Sequence, residues 1–366
     1  MQKVFNRDKL LIKKLAERKN KLSIDRDLVP ITFKSSGFSK KDKDLISLTS
    51  DKIRTARERN KSVMLAFGAH TIKNGLAPVL TALIREGWVT HLATNGAGII
   101  HDWEFAFQGR TSEDVKENVK NGQFGIWEET GFYINLALIT GAFEGLGYGE
   151  SVGKMISREG LEIPDPEYLF REAEKNLKIN PGYSSAAIDL SGTIRKLMLS
   201  TGFMNIPHPY KNISVQCSAY ELKIPFTGHP MFGHDIIYTS PVNNGAAIGR
   251  TALKDFLIFA GSVSNLDHGV YLSLGSAVMS PMVFEKSLSM AQNIEIQRNN
   301  HIDNHYMLVV DLAKSDWDWA KSGEPPADNP AYYLRYCKTF SRMGGEFHYL
   351  SADNRDFLSE LYHNLS

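Results

Sequence analysis

The stretch 62-SVMLAFGAHTIKNGLAPVLTALIREGWVTHLATNGAG-98 changes texture twice within itself. VMLAFG is a short apolar run closed by glycine, which is the signature of a buried strand rather than of an amphipathic helix. NGLAPVLTALIREG has helical spacing and stops at Gly87. WVTHLATNGAG is a second apolar run ending in glycines. Strand, helix, strand over this length is a βαβ unit, and it implies parallel strands.

Working outward, residues 1–60 are highly charged, and 40-KKDKDLISLTSDKIRTARERNK-61 predicts an exposed helix packed along Leu45, Leu48 and Ile53. This marks a peripheral helical arm ahead of an α/β domain spanning 61–366. Residues 110–205 predict a mostly helical insert, with YINLALITGAFEGLGYGES and SSAAIDLSGTIRKLMLSTG as its apolar pieces. From Asn212 strand texture returns in ISVQCSA and DIIYT, then a helix over 251–263, the run GVYLSL, a helix from near Pro281, and YMLVVDL. EFHYLS and the amphipathic RDFLSELYHNL close the chain. At least six strands interleaved with helices predict an α/β, doubly wound, mostly parallel Rossmann-like sheet.

Composition narrows the function classes. With 366 residues and 42% hydrophobic content, the chain can bury a large core. Its 42 Lys+Arg nearly cancel 41 Asp+Glu, so no net field draws in nucleic acid or an anionic membrane. Cys217 and Cys337 lack any CxxC or CxxH spacing, which fits a reducing compartment without structural zinc. No signal peptide and no run of about 20 apolar residues is visible, so a soluble cytoplasmic protein is expected.

Three glycine-bearing turns follow apolar runs directly: 67-FGAHTIKNG-75, 94-TNGAGIIHDWE-104 and 274-LGSAVMSP-281. At the carboxyl ends of parallel strands such turns let a backbone approach phosphates, so together they point to a nucleotide. The fingerprint G-x-G-x-x-G is absent in that form, and GLGYGESVG at 145–153 follows helical texture and reads as turn glycine. His101 and Asp102 could serve as base and orienter, or Asp102 could cap a helix. His229, His234 and Asp235 in GHPMFGHDIIY match no common metal pattern, and no metal is expected. His301, Asp303 and His305 alternate along a segment entering a strand, a pattern most often expected of one solvated face, and no role is assigned to them.

From about residue 62 to the end, several segments resemble consecutive blocks of the deoxyhypusine synthase family. VMLAFGAHTIKNGLAPVLTALIREGWVTHLATNGAGIIHD is similar to that family's strand, Thr-Ser-Asn turn, helix, strand and Thr-Thr-Ala-Gly-Gly-x-Glu-Glu-Asp turn. NISVQCSAYEL with GHDIIYTSP, GVYLSLGSAVMSP, SGEPPADNPAYYLRYCK and EFHYLSADNRDFLSELY resemble later blocks in order. The resemblance implies an NAD-dependent enzyme that oxidises spermidine and passes an aminobutyl group, through an imine on a lysine, to a protein lysine.

Carried over by position, it implies that Gly68, His70, Thr71, Asn95, Gly96, Ala97, Gly98, Glu221, Gly275, Ser276, Ala277 and Asp353 surround the dinucleotide. Asp235 matches an amine-binding carboxylate, and Asp102 keeps its identity beside His101. Lys338 is the lysine nearest the family's reactive position, displaced by four residues, and an ungapped match puts Tyr336 there instead. Pro281 and Met282 stand where the family has paired histidines. The expected partner is a small amine or polyamine, with a protein lysine as a candidate acceptor. A homospermidine-synthase-like transfer and a non-catalytic nucleotide-binding protein are the alternatives. Trp317, Trp319, Tyr332 and Tyr333 crowd a loop-rich stretch, which with the resemblance suggests a homo-oligomer, a tetramer.

Overall fold

The structure is a computed structural model that describes residues 2–35 and 37–366. Ten strands occur among the described residues: β1 (Asn20–Ser23), β2 (Val63–Phe67), β3 (His91–Asn95), β4 (Arg110–Glu113), β5 (Gly160–Ile163), β6 (Gly202–Asn205), β7 (Phe226–His229), β8 (Val270–Leu274), β9 (Tyr306–Asp311) and β10 (Glu346–Ser351). Six of them form one sheet in the order β10-β9-β8-β2-β3-β7, and every pairing in it is parallel. Ranked by chain order and read from β7, that is 3-2-1-4-5-6. This is the doubly wound Rossmann order, in which the chain starts in the middle, builds one half, and returns to build the other. The remaining strands make two small antiparallel pairs, β1 with β4 and β5 with β6.

Why both faces of the sheet are buried is visible in the strands themselves. Side chains alternate across a strand, so a strand covered on both sides must be apolar throughout. In β2, Val63, Leu65 and Phe67 enter one core with Ile46, Ile53, Leu80, Ile84 and Phe357. Met64 and Ala66 enter the other with Phe259, Phe284, Leu288 and Phe340. The Lys40–Glu58, Ala77–Arg85, Gly96–Gln108 and Asn354–Leu365 helices thus line one face. The Gly245–Val263, Met279–Gln297 and Arg335–Ser341 helices line the other.

Several sequence expectations change here. ISVQCSA is not a strand: Val215–Leu222 is a helix, with Ser214 capping it by accepting from the Cys217 N–H. DIIYT is a 3-10 turn over Ile236–Thr239. The third strand of the first half is instead the four residues of β7, FTGH, too short and too polar to stand out. The Lys40–Glu58 helix buries Ile46, Ile53 and Ala56, with Leu45 and Leu48 only half-buried at its margin. No helix among the described residues is long and apolar enough to cross a membrane.

The edge strand β7 is covered by the Tyr148–Arg158 helix, and glycine lets it lie close. A Cβ on Gly149 would sit 2.0 Å from the Phe226 carbonyl oxygen, and one on Gly153 would sit 2.7 Å from that of Gln216. Of the glycines in 145-GLGYGESVG-153, Gly145 is the left-handed turn glycine that ends the Glu128–Glu144 helix, Gly149 lets the next helix cover a sheet edge that would otherwise expose unpaired backbone, and Gly153 lets it pack on the Val215–Leu222 helix. Gly149→Ala should cost about 1–3 kcal/mol through overpacking. Gly192→Ala, in open space on the Pro181–Leu197 helix, should instead stabilise by about 0.5–1 kcal/mol. Urea denaturation of the two variants checks both signs.

Candidate functional site

In this topology ligands bind at the carboxyl ends of the strands, where the strand order reverses. The reversal lies between β2 and β8. Gly68 and Gly275 follow those strands, and the Gly68 N–H donates to the Leu274 carbonyl at 3.0 Å. A Cβ on Gly68 would meet the Gly275 carbonyl oxygen at 2.2 Å, so the two turns touch through bare backbone. Gly275 itself has a φ of +54° with open space where a side chain would be. The space beside Gly68 is thus filled by its neighbour, and it is the open side of Gly275 that leaves room for a pyrophosphate to approach. Of the expected cofactor residues, Gly68 and Gly275 meet there and His70 and Ala277 are exposed close by in the chain, whereas Thr71 is buried and its hydroxyl accepts from Asn354 Nδ2 at 3.1 Å.

One strand over, a cavity of about 180 Å³ opens beside the end of β3. Its wall is made by Arg18, Lys73, Ala97, Ile100, His101, Glu104, Glu113, Phe124, His234, Asp235 and Ile236. Lys73 ends the short Ala69–Lys73 helix that starts after Gly68, so the segment following β2 serves both the switch point and the cavity. Asp235 comes from the loop after β7. Gly96 admits it, since a Cβ there would lie 1.9 Å from Asp235 Oδ2. Oδ2 is buried and accepts no hydrogen bond among the described residues. Burial without a partner pushes the Asp235 carboxyl up to about 7.

A hydrogen-bonded chain holds His101. Arg18 donates from Nη1 and Nη2 to the two oxygens of Glu104, both at 2.7 Å, and both side chains are buried. The Thr111 hydroxyl donates to Glu104 Oε2 at 2.5 Å, and Thr130 donates to Oε1 at 3.1 Å. With its proton spent on Glu104, Thr111 Oγ1 can only accept from His101 Nδ1, at 2.7 Å. The ring is thereby fixed with its proton on Nδ1, and Nε2 keeps a free lone pair. Burial drives the imidazole down to about 4, so it is neutral near pH 7. A neutral imidazole in this tautomer can accept a hydrogen bond or a proton at Nε2, with burial weakening it as a base.

Asp102 is not the orienter of His101. It is fully buried and accepts from Ser214 Oγ at 2.6 Å, from the Val215 and Gln216 N–H groups, and from Gln216 Nε2 at 3.0 Å. It thus satisfies the start of the Val215–Leu222 helix, a helix other than its own, and its burial is opposed by those donors. Lys338 does not line the cavity. It pairs with Glu324 at 3.0 Å and lies 3.4 Å from the Tyr332 ring centre, and its amine is held above the usual lysine range. An amine kept protonated is a poor nucleophile.

The remaining expected cofactor residues are partly spent on local structure. Asn95 Oδ1 accepts from Gly98 N–H at 2.9 Å, and Ser276 Oγ accepts from Ser280 N–H at 3.2 Å. Asp353 accepts from the backbone and the guanidinium of Arg355. Glu221 lies elsewhere, in a cavity of about 650 Å³ at the amino end of β7 that also meets Tyr220, Phe226 and Asp255. Asp255 there accepts from the Gly149 and Gly228 N–H groups while burial pushes its carboxyl up to about 8. His229 turns inward to Thr227 at 3.0 Å and packs edge-on against Phe259, away from exposed His234.

Arg18, Lys73, Glu104 and Thr111 carried no mark in the sequence, because nothing local distinguishes them from other charged and polar residues. Asp255 did carry one, standing on the apolar ladder Thr251, Asp255, Phe259, Val263 at four-residue spacing.

No family model matches the chain, and no curated protein matches it. Among solved structures, the ternary complex of AgrE with ornithine and NAD+ is similar at a TM-score of 0.43 and 16% identity, covering 90% of this chain and 34% of that one. A conserved protein provisionally named LOR/SDH from Methanococcus maripaludis S2 is similar at 0.44 and 12%, covering 92% and 73%. A protein provisionally named a deoxyhypusine synthase from Entamoeba histolytica is similar at 0.33 and 11%, covering 82% and 90%. The chain spans about a third of the length of the AgrE structures it matches.

The buried carboxyl of Asp235 makes stability depend on pH. Its folded-state value lies above the ordinary one, so the fold favours its protonated form. The penalty is absent below about pH 4, grows as pH rises, and is complete above about pH 7. Asp235→Asn should therefore be more stable than wild type at pH 8, by on the order of 2–4 kcal/mol at about 1.4 kcal/mol per pH unit, and equal to it at pH 4. Chemical denaturation at the two pH values measures the difference.

Proposed function

We propose that this chain is an NAD-dependent enzyme that oxidises a small cationic amine. The single observation that carries the reading is Asp235, a buried carboxylate oxygen without a partner beside a doubly wound switch point. An ammonium group would supply the missing charge-assisted hydrogen bonds and pull the carboxyl back to its ionised form. Gly68, His70 and Thr71 on one turn and Gly275, Ser276 and Ala277 on the other would flank the dinucleotide. When bound, the dinucleotide supplies the acceptor for a hydride from the carbon next to nitrogen.

The chain's own residues do the rest. Asp235 orients the ammonium, and His101 Nε2 takes a proton from nitrogen so that its lone pair can expel the hydride. Glu104 and Thr111 keep the ring in the required tautomer. The apolar wall of Ala97, Ile100, Phe124 and Ile236 keeps bulk water from the carbon chain. Aminobutyl transfer through Lys338, as the family resemblance implies, would require that amine to leave Glu324 and lose its proton, so the oxidation stands without it.

Titration calorimetry with NAD+ and NADH should give saturable binding to the wild-type protein. Amine binding should strengthen as pH rises through about 7, where Asp235 ionises. Asp235→Asn should lose amine binding while keeping dinucleotide binding, and Lys338→Met should keep both. No heat with either nucleotide would refute the reading.

A further inference from the structure

The charges around the cavity divide into those already answered and those left over. Arg18 and Glu104 neutralise each other, and Glu113 accepts from Asn118 and from the Gly125 N–H. Lys73 Nζ makes no hydrogen bond or ion pair among the described residues. Burial, with Lys21 nearby, lowers its amine from the usual lysine range. Asp235 Oδ2 is equally without a partner. The two lie on different turns of the cavity wall and do not pair with each other. An unpaired charge taken from water is costly unless a ligand answers it.

We propose that the cavity between Lys73 and Asp235 takes a small amino acid, whose ammonium meets Asp235 and whose carboxylate meets Lys73. The proposal rests on the reading of Asp235 as an amine site and narrows the substrate class from amines to dipolar ones. A diamine would set its second ammonium against Lys73, a like charge, whereas a carboxylate there gains a charge-assisted bond. The volume of about 180 Å³, at roughly 30 Å³ per displaced water, admits a molecule of modest size and no extended polyamine. Ile100, Phe124 and Ile236 offer a surface for its methylenes.

Calorimetric titration of the full chain with glycine, norvaline, 4-aminobutyrate and 5-aminopentanoate, against cadaverine and glutarate, tests this. The best amino acid should bind at least about tenfold tighter than cadaverine or glutarate. Lys73→Met should remove that margin without weakening cadaverine, and Lys73→Arg should restore it, with thermal melts confirming that both variants fold. Cadaverine binding as tightly as the amino acids, lost in Asp235→Asn, overturns this proposal and leaves the amine site standing. Folded Lys73→Met with unchanged amino-acid affinity also overturns it. Binding of no amine of any kind overturns both readings.

Discussion

The buried ion pair between Arg18 and Glu104 is the contact on which the candidate site depends. Glu104 sits inside the Gly96–Gln108 helix, where an isolated carboxylate would be strongly disfavoured by loss of water. Four donors answer it: two from the guanidinium, one from Thr111 on β4 and one from Thr130 on the Glu128–Glu144 helix. Removing one partner of such a pair typically costs about 3–5 kcal/mol, because the survivor is left charged and dry. Desolvation opposes the pair, yet the guanidinium still holds the Glu104 carboxyl below its usual range.

That one carboxylate joins the chain before β2 to the insert after β3, and it passes its orientation to the site through Thr111. The geometry of His101 is therefore decided by residues far from it in sequence. A neutral imidazole in a defined tautomer, an unanswered carboxylate and an unanswered amine then share a cavity of about 180 Å³. Each departs from what a folded interior tolerates best, and such departures concentrate where ligands bind.

The same carboxylate chemistry is used structurally elsewhere, and the contrast separates the two roles. Asp102 and Asp255 are as buried as any group in the molecule, but each accepts several hydrogen bonds and each ties one element to the backbone of another. Asp235 is only half-buried as a residue, but its Oδ2 is buried with no donor on it among the described residues. Burial alone does not mark a functional carboxylate, whereas burial without partners at the carboxyl end of a parallel sheet does.

The sequence by itself determined the alternation of strand and helix, because two-sided burial demands apolar runs such as VMLAF in β2 and VYLSL in β8, and helices demand their own spacing. The three glycine turns were legible for the same local reason. β7 was not, since four residues with a glycine and a histidine carry no periodic signal, and its strand state comes from pairing with β3. The Val215–Leu222 segment went the other way: β-prone in composition, it is helical because Asp102 and Ser214 satisfy its first turn. Only the tertiary structure decided that His101 and Asp102, adjacent in the chain, turn to different neighbours, one to Thr111 and the cavity and the other to the Val215–Leu222 helix. It also brought Arg18, Lys73 and Asp235 to one cavity, through contacts between residues whose separation leaves no trace in local pattern.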